Sequence, residues 1–317
     1  MWVKPRFRLQ RTTSGAARLR FATARAALWG LVLAAYGLAI QAAGAGAAWG
    51  SDHDDTPELK TIPRHDARIT DFFAFTRGDR LVLVLCTDPT IPATATDYQY
   101  ARDLTLRFHV DNDSDVTFGD PAADATYGGT IVRPERVHAE VVFEVTFDKG
   151  RGAELRLEGL PESARRDIQM FAGLRDDPFI RGPRQGRNVA AVVLEMPLQL
   201  VLGPRPVLVL WSTSKVPEMH GPQCELGGRS LRSQFAENLG LNTLPPWKHF
   251  EVLGVPPDVV IFDTSRPAVF PNGRELADDV VDMVGDRRVL DTDAPFPSTN
   301  DVPFLEQFPY LAPPHRR

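Results

Sequence analysis

The segment Leu104-Thr105-Leu106-Arg107-Phe108-His109-Val110 (LTLRFHV, residues 104–110) decides the fold class of this chain. Apolar and polar side chains alternate along it without a break, and a period of two places them on opposite faces of a β-strand. A strand with one apolar and one polar face is typical of an antiparallel sheet that covers a core on one side. The segment therefore predicts a half-buried antiparallel strand.

The same alternation recurs further along the chain, in residues 139–147 (AEVVFEVTF). Four continuous apolar runs, residues 81–86, 189–194, 207–211 and 259–262, predict strands that are covered on both faces. All but one of the 27 prolines follow residue 50, a density that long helices could hardly tolerate. The body of the chain is therefore expected to consist mainly of strands.

Helices are expected only as short insertions. Residues 161–173 and 231–239 favour helix by composition. In residues 274–284, Leu276, Val280 and Val284 recur at the spacing of one helix face. The predicted fold class is mainly β, an antiparallel, jelly-roll-like β-sandwich with a few short helical insertions, formed as a single domain by residues 51–317.

The first fifty residues have the organisation of a secretory leader. Seven basic residues and no acidic ones precede or flank an apolar run at Ala26–Ile40, and small residues follow it up to Ser51. This order predicts a signal peptide over residues 1–48, cleaved between Ala45 and Gly50, and an exported, periplasmic or extracellular protein. If it were retained, the charge-free stretch could anchor the chain in a membrane. An organelle transit peptide is a third interpretation of the basic start.

The formal net charge of -5 hides a basic leader on an acidic body. Residues 51–317 hold 29 basic groups against 41 acidic ones. An acidic body argues against nucleic acid as a partner, because binding to phosphates needs a basic surface. Cys86 and Cys224 both belong to the exported part, where a disulfide between them is permitted. Cys86 also ends an apolar run and is equally well interpreted as a small buried hydrophobic residue.

An aspartate-rich segment follows the strand quoted at the start, and we call residues 111–124 the aspartate loop. Carboxylates at alternate positions after a strand can converge on a hard cation, and the loop partly matches a calcium-binding loop. The alternative interpretation is a solvated turn, since aspartate is itself a turn-forming residue. The candidate calcium ligands are Asp111, Asp113, Asp115, Asp120 and Asp124.

Other polar clusters suggest weaker hypotheses. Residues 52–55 with His65, Asp66 and Asp71 could hold a transition metal, or could simply be a polar N-terminus. The pairs Asp176-Asp177 and Asp278-Asp279 could act as the acid and base of a hydrolase. Residues 212–215 (STSK) match a serine-lysine motif only formally, because they follow an apolar strand rather than lie on a helix.

Nine strings occur along the chain in this order: DHDDTP, ITDFFAF, GDRLVLVLCTDP, FHVDNDSDV, AGLRDDPF, GRNVAAVVLEMP, VLVLWSTSK, FPNGRELADDVVDM and FPYLAPPH. Together they resemble an exported bacterial family, domain-of-unknown-function family 4331. The resemblance covers residues 51 to 315 and implies an exported architecture rather than a reaction. Ser114 stands where the family's acidic loop usually has a glycine, and this departure bears on ion binding.

The layout of the first half of the body is also similar to DOMON domains and to family-9 carbohydrate-binding sandwiches. This similarity implies a ligand-binding sandwich with a structural calcium ion, and sugar or haem as ligand classes. We therefore expect a non-enzymatic binding or surface-associated module, with Trp211 or Trp247 on an aromatic binding face. A carboxylate-dependent hydrolase acting on carbohydrate and a haem or redox module are the alternatives. Expected partners are carbohydrate or another small molecule, and a membrane only if the leader is retained.

Overall fold

Antiparallel strands dominate the computed structural model of this chain, which describes residues 52–148, 152–180, 186–234, 240–284 and 297–316. The predicted leader, residues 1–48, lies outside these ranges. Residues 50–317 form one compact unit. The strands are β1 (Ile69–Arg77), β2 (Arg80–Thr87), β3 (Thr105–Asp111), β4 (Val116–Thr117), β5 (Thr130–Ile131), β6 (Val141–Asp148), β7 (Gly152–Glu158), β8 (Gln169–Asp176), β9 (Asn188–Pro197), β10 (Val207–Lys215), β11 (Glu225–Gly227) and β12 (Val260–Asp263).

The strands form two large sheets and one small one. The first large sheet has the order β1-β2-β9-β8. The second has the order β11-β10-β3-β6-β7, with β12 also paired to β10. Strands β4 and β5 pair with each other beside the second sheet. Every pairing between these strands is antiparallel.

The two large sheets pack face to face around a shared core. Phe72 of the first sheet and Phe108 of the second have ring centroids 6.3 Å apart. In β3 the apolar residues are buried and the polar ones between them are partly exposed, as the alternation predicts. Strands β2 and β9, in the middle of the first sheet, are buried almost throughout. The prediction of a mainly β, antiparallel sandwich is confirmed.

The helices among the described residues are short. They are α1 (Pro121–Tyr127), α2 (Pro246–Leu253) and α3 (Val280–Val284). Single 3₁₀ turns lie at Leu59–Thr61, His65–Ala67, Pro134–Arg136, Glu162–Asp167 and Leu198–Leu200. No helix among the described residues is both long and apolar enough to cross a bilayer.

The helix predicted for residues 161–173 is wrong. A 3₁₀ turn occupies residues 162–167, and residues 169–173 belong to strand β8. Residues 169–173 pair with the edge of β9 that β2 leaves free. Without this pairing, the backbone N–H and C=O groups along that edge would have no hydrogen-bond partner in the sheet. This tertiary pairing outweighs the local preference for helix.

The helix predicted for residues 274–284 is shorter than expected. It begins at Val280, because Asp278 and Asp279 bind backbone N–H groups of the preceding turn and of the first helical turn. Aspartate stabilises helix starts and turns in this way. In residues 231–239, the described part, Leu231 to Gln234, is not helical, and residues 235–239 lie outside the described ranges.

Candidate functional site

Asp111, the first carboxylate of the aspartate loop, is completely buried at the end of β3. One of its oxygens accepts hydrogen bonds from the backbone N–H groups of Asp113 and Ser114, at 3.2 and 2.8 Å. The other accepts from Ser114 Oγ at 2.6 Å and from the N–H of His138 at 3.1 Å. Burial raises the pKa of Asp111, while the hydrogen bonds from Ser114 and Asp113 oppose that rise. Its main role is to close the loop.

The other predicted calcium ligands divide between two situations. Asp113 lies near Asp111, and Glu140 joins them, so that one oxygen of each lies within 4.8 Å of the others. Asp115 instead pairs with Arg205 at 2.6 Å. Asp120 caps the start of α1, and Asp124 accepts a hydrogen bond from the N–H of Gly119 at 2.7 Å. Calcium binding by this loop stays a prediction, with Glu140 as a ligand that the sequence did not indicate.

Helix α1 begins in the second half of the aspartate loop and is held at both of its ends. Asp120 accepts hydrogen bonds from the N–H groups of Ala122 and Ala123, and Pro121 occupies the first turn of α1. At the other end, Gly128 has a φ of 78°, and a Cβ atom there would lie 2.6 Å from the carbonyl oxygen of Pro271. Helix α1 is therefore fixed at both ends, between β4 and β5.

We call the recess between α1, β5, α2 and β12 the α1–α2 pocket. Its volume is about 310 Å³, and most of its lining is apolar. Pockets of this size and character are typical sites for small molecules. The lining residues are Asp120, Ala123, Tyr127, Gly129, Thr130, Ile131, Pro134, Phe250, Pro256, Pro257, Val259 and Ile261.

Two aromatic rings line the α1–α2 pocket from opposite helices. Phe250 of α2 is 56% exposed, a large exposed fraction for a phenylalanine. Tyr127 ends α1, and the guanidinium groups of Arg229 and Arg232 lie 5.3 and 5.1 Å from its ring centroid. Burial and the neighbouring Arg232 lower the pKa of Arg229 to about 10. Both cations therefore lie within cation–π distance of Tyr127, whereas Phe250 is exposed to solvent.

The tryptophans predicted for an aromatic binding face do not line this pocket. Trp211 is 1% exposed and stacks on His109 with the ring centroids 4.9 Å apart. Burial lowers the pKa of His109 to about 3, and the positive charge of Arg107 adds to that effect. Trp247 lies on α2, and its ring centroid is 4.5 Å from that of His138. The sequence indicated an aromatic site but did not identify Tyr127 and Phe250.

The four carboxylates proposed for a hydrolase are all buried. Asp278 accepts hydrogen bonds from the N–H groups of Phe270 and Glu275, and Asp279 accepts one from Asp282. These two residues therefore hold a turn and a helix start. Asp177 accepts a hydrogen bond from the N–H of Phe179.

Asp176 differs from the other three carboxylates. It is 1% exposed, and its Oδ1 lies 2.7 Å from Nε2 of His315. Burial raises the pKa of Asp176 to about 8, and the negative charges of Asp301 and Asp177 contribute to the rise. Neither Asp301 nor His315 was among the residues predicted for a site.

The N-terminal cluster proposed for a transition metal is a set of ion pairs. His53 is buried against Glu225, and Asp52 is paired with Arg274. Arg274 also binds Asp71 at 2.9 Å, and its guanidinium stacks over the ring of Phe73 at 3.9 Å. Asp54 forms an ion pair with Lys60, Asp55 with Arg68, and Asp66 with Arg64. The cluster therefore fixes the start of the body to the sandwich.

Cys86 and Cys224 are both buried and both free thiols, so the structure does not form the disulfide that the sequence permits. Burial raises the pKa of each thiol. The serine-lysine motif is also structural: Ser212 and Ser214 donate hydrogen bonds to backbone carbonyls, and Lys215 does the same. None of these groups is arranged as a nucleophile with a base.

No known protein family matches this chain, and no curated protein matches it significantly. The resemblance to domain-of-unknown-function family 4331 and to DOMON domains stays a prediction.

Proposed function

We propose that this chain is an exported, non-enzymatic binding module whose ligand site is the α1–α2 pocket. One observation carries the proposal: a recess of about 310 Å³ with a mainly apolar lining that includes an exposed phenylalanine. Covering the apolar lining of such a recess with the apolar face of a ligand is favourable.

The lining favours a small ligand with an apolar face and a few hydrogen-bonding groups. Ile131, Val259 and Ile261 offer an apolar floor. The rings of Tyr127 and Phe250 can stack against a flat face, such as that of a sugar ring or an aromatic ring. Asp120 and Thr130 supply oxygen atoms in an otherwise apolar lining. A carbohydrate or a similar amphipathic small molecule fits this combination.

The alternative functions have less support. Two of the four carboxylates proposed for a hydrolase, Asp278 and Asp279, are engaged with backbone N–H groups, and the carboxylate in the pocket, Asp120, caps a helix. The haem alternative was based on histidine and methionine as axial ligands of the iron. Among the histidines, His53 is paired with Glu225, and His249 contacts the backbone carbonyls of Leu241 and Leu244. A binding role needs none of these groups to change partner.

The test is a comparison of two variants on helix α2. Phe250 and Val252 are each 56% exposed, and only Phe250 lines the pocket. We expect Phe250→Ala to weaken binding of the fluorescent probe anilinonaphthalene sulfonate, and of any hit from a sugar array, by about tenfold. Val252→Ala should bind like the unchanged protein. Equal binding by both variants would show that the ligand site lies elsewhere.

A further inference from the structure

Three side chains from distant parts of the chain meet where β8 ends. Asp176 is the last residue of β8, and Asp301 and His315 belong to the C-terminal segment. Nε2 of His315 lies 2.7 Å from Oδ1 of Asp176 and 3.4 Å from Oδ2 of Asp301. One nitrogen and two carboxylate oxygens thus lie within 4.8 Å of one another. We call these three residues the C-terminal cluster.

Two of these atoms are buried without a hydrogen bond. Within the described part of the chain, neither Oδ1 of Asp176 nor Nε2 of His315 has a partner with acceptable hydrogen-bond geometry, although the two atoms are close together. The N–H direction of the imidazole therefore does not point at the carboxylate. The His53–Glu225 pair, in contrast, has hydrogen-bond geometry. Buried polar atoms are rarely left in this state unless another group satisfies them.

The surrounding residues hold Asp176 and Asp301 through their side chains and His315 through its backbone. Asn300 donates a hydrogen bond to Oδ2 of Asp176 at 2.6 Å, which leaves Oδ1 turned toward His315. Asn188, on the neighbouring strand, accepts from the N–H of His315 at 2.8 Å and donates to its carbonyl. The N–H of Gly186 donates to Asp301 at 2.7 Å. Metal ligands in proteins are commonly oriented by such outer hydrogen bonds.

We propose that Asp176, Asp301 and His315 bind one divalent transition-metal ion, and that Zn²⁺ suits the site best. An imidazole nitrogen with two carboxylate oxygens is a donor set for Zn²⁺, whereas Ca²⁺ prefers oxygen ligands alone. Three protein ligands leave a fourth position for water or for a further group. The ion would also offset the negative charges of the two carboxylates. This site is separate from the α1–α2 pocket, and the proposal does not depend on the proposed function.

The rival explanation is a plain ion pair between a protonated His315 and Asp176. Such a pair would need no metal, and adding Zn²⁺ would leave the protein unchanged. The two explanations also differ over Asp301, which lies farther from His315 than Asp176 does. Replacing Asp301 should hardly weaken an ion pair between His315 and Asp176. In a three-ligand site, the same replacement should weaken metal binding as much as replacement of either other ligand.

The test is a Zn²⁺ titration of the full chain by calorimetry after treatment with a chelator. We expect one bound ion per chain, and an affinity about tenfold or more weaker in His315→Ala and in Asp301→Asn. Glu140→Gln, which removes the carboxylate that lies beside Asp111 and Asp113, is the matched control and should bind Zn²⁺ like the unchanged protein. The proposal is overturned if the unchanged protein binds no Zn²⁺, or if Asp301→Asn binds it equally well.

A second measurement covers the case in which His315→Ala does not fold. Co²⁺ in place of Zn²⁺ gives visible absorption bands that report its ligands. We expect these bands with the unchanged protein and their loss in Asp301→Asn, a conservative change whose amide can still accept the hydrogen bond from Gly186. If the unchanged protein gives no bands with Co²⁺, the site does not bind a transition metal.

Discussion

The aspartate loop and the C-terminal cluster both contain carboxylates beside the sandwich. They differ in whether both oxygen atoms of their buried aspartate accept hydrogen bonds from the protein. In the aspartate loop, Asp111 accepts four hydrogen bonds from the loop itself and from His138. In the C-terminal cluster, one oxygen of Asp176 is bound by Asn300 and the other faces His315 without hydrogen-bond geometry. The two groups therefore differ in how many of their carboxylate oxygen atoms the protein itself already binds.

The first way to break this comparison is to remove Asp111. Asp111→Ala leaves the N–H groups of Asp113, Ser114 and His138 without their acceptor, and we expect a loss of about 4 kcal/mol in the free energy of unfolding. Urea denaturation would measure it. The control Asp113→Ala removes an exposed side chain of the same loop and should change little. Equal losses in both variants would mean that the hydrogen bonds of Asp111 do not hold the loop.

The second prediction asks whether a charged partner or burial alone sets the pKa of a buried side chain. It uses His53, which is paired with Glu225. Burial alone would lower the pKa of His53, but the charge and the hydrogen bond of Glu225 raise it from 6.5 to about 9. The folded protein therefore keeps a proton that the unfolded chain loses. We expect the stabilisation to be complete below pH 6.5 and to fall as the pH rises to about 9, by on the order of 3 kcal/mol.

Urea midpoints across this pH range would check the prediction, with His53→Gln as the variant in which the slope should flatten. A midpoint that stays constant with pH in the unchanged protein would contradict the assignment of the proton to this pair.

The smallest expected effect is a change in the free energy of unfolding of Asp301→Asn, and its sign depends on whether Zn²⁺ is present. In the presence of a chelator, Asp301→Asn removes a negative charge near Asp176, and we expect a gain of about 0.5 kcal/mol in the free energy of unfolding. With Zn²⁺ added, the same variant should be less stable than the unchanged protein, because it binds the ion more weakly. Thermal unfolding under both conditions measures the two signs. A variant that is less stable under both conditions would point to a structural role for Asp301.

The sandwich could be predicted because its signal is local. Alternation in residues 104–110 and 139–147 follows directly from which side chains face the core, so a short window contains it. Strand β8 was missed because its conformation depends on pairing with β9, which a window around residues 169–173 does not show. The other strands of the large sheets that were not predicted are β1, β7 and β11, whereas β2, β3, β6, β9, β10 and β12 lie where the sequence indicated strands.

The sites could be predicted only in part, and for a related reason. The aspartate loop is contiguous, so its carboxylates stand out, but the sequence does not show which oxygen atoms the backbone already binds. The C-terminal cluster joins Asp176 to a segment far along the chain; Asn300, which orients it, is 124 residues away. No spacing rule connects such positions. The pocket rings, Tyr127 and Phe250, likewise come from two helices that only the fold brings together.

Arg274 has a consequence for the order in which the chain can fold. It supplies positive charge to Asp52 and Asp71, which precede it by 222 and 203 residues. Its backbone also pairs with Ala74 of β1. A chain that is still being synthesised therefore cannot complete the ionic part of its core until Arg274 has been added and most of its length is present.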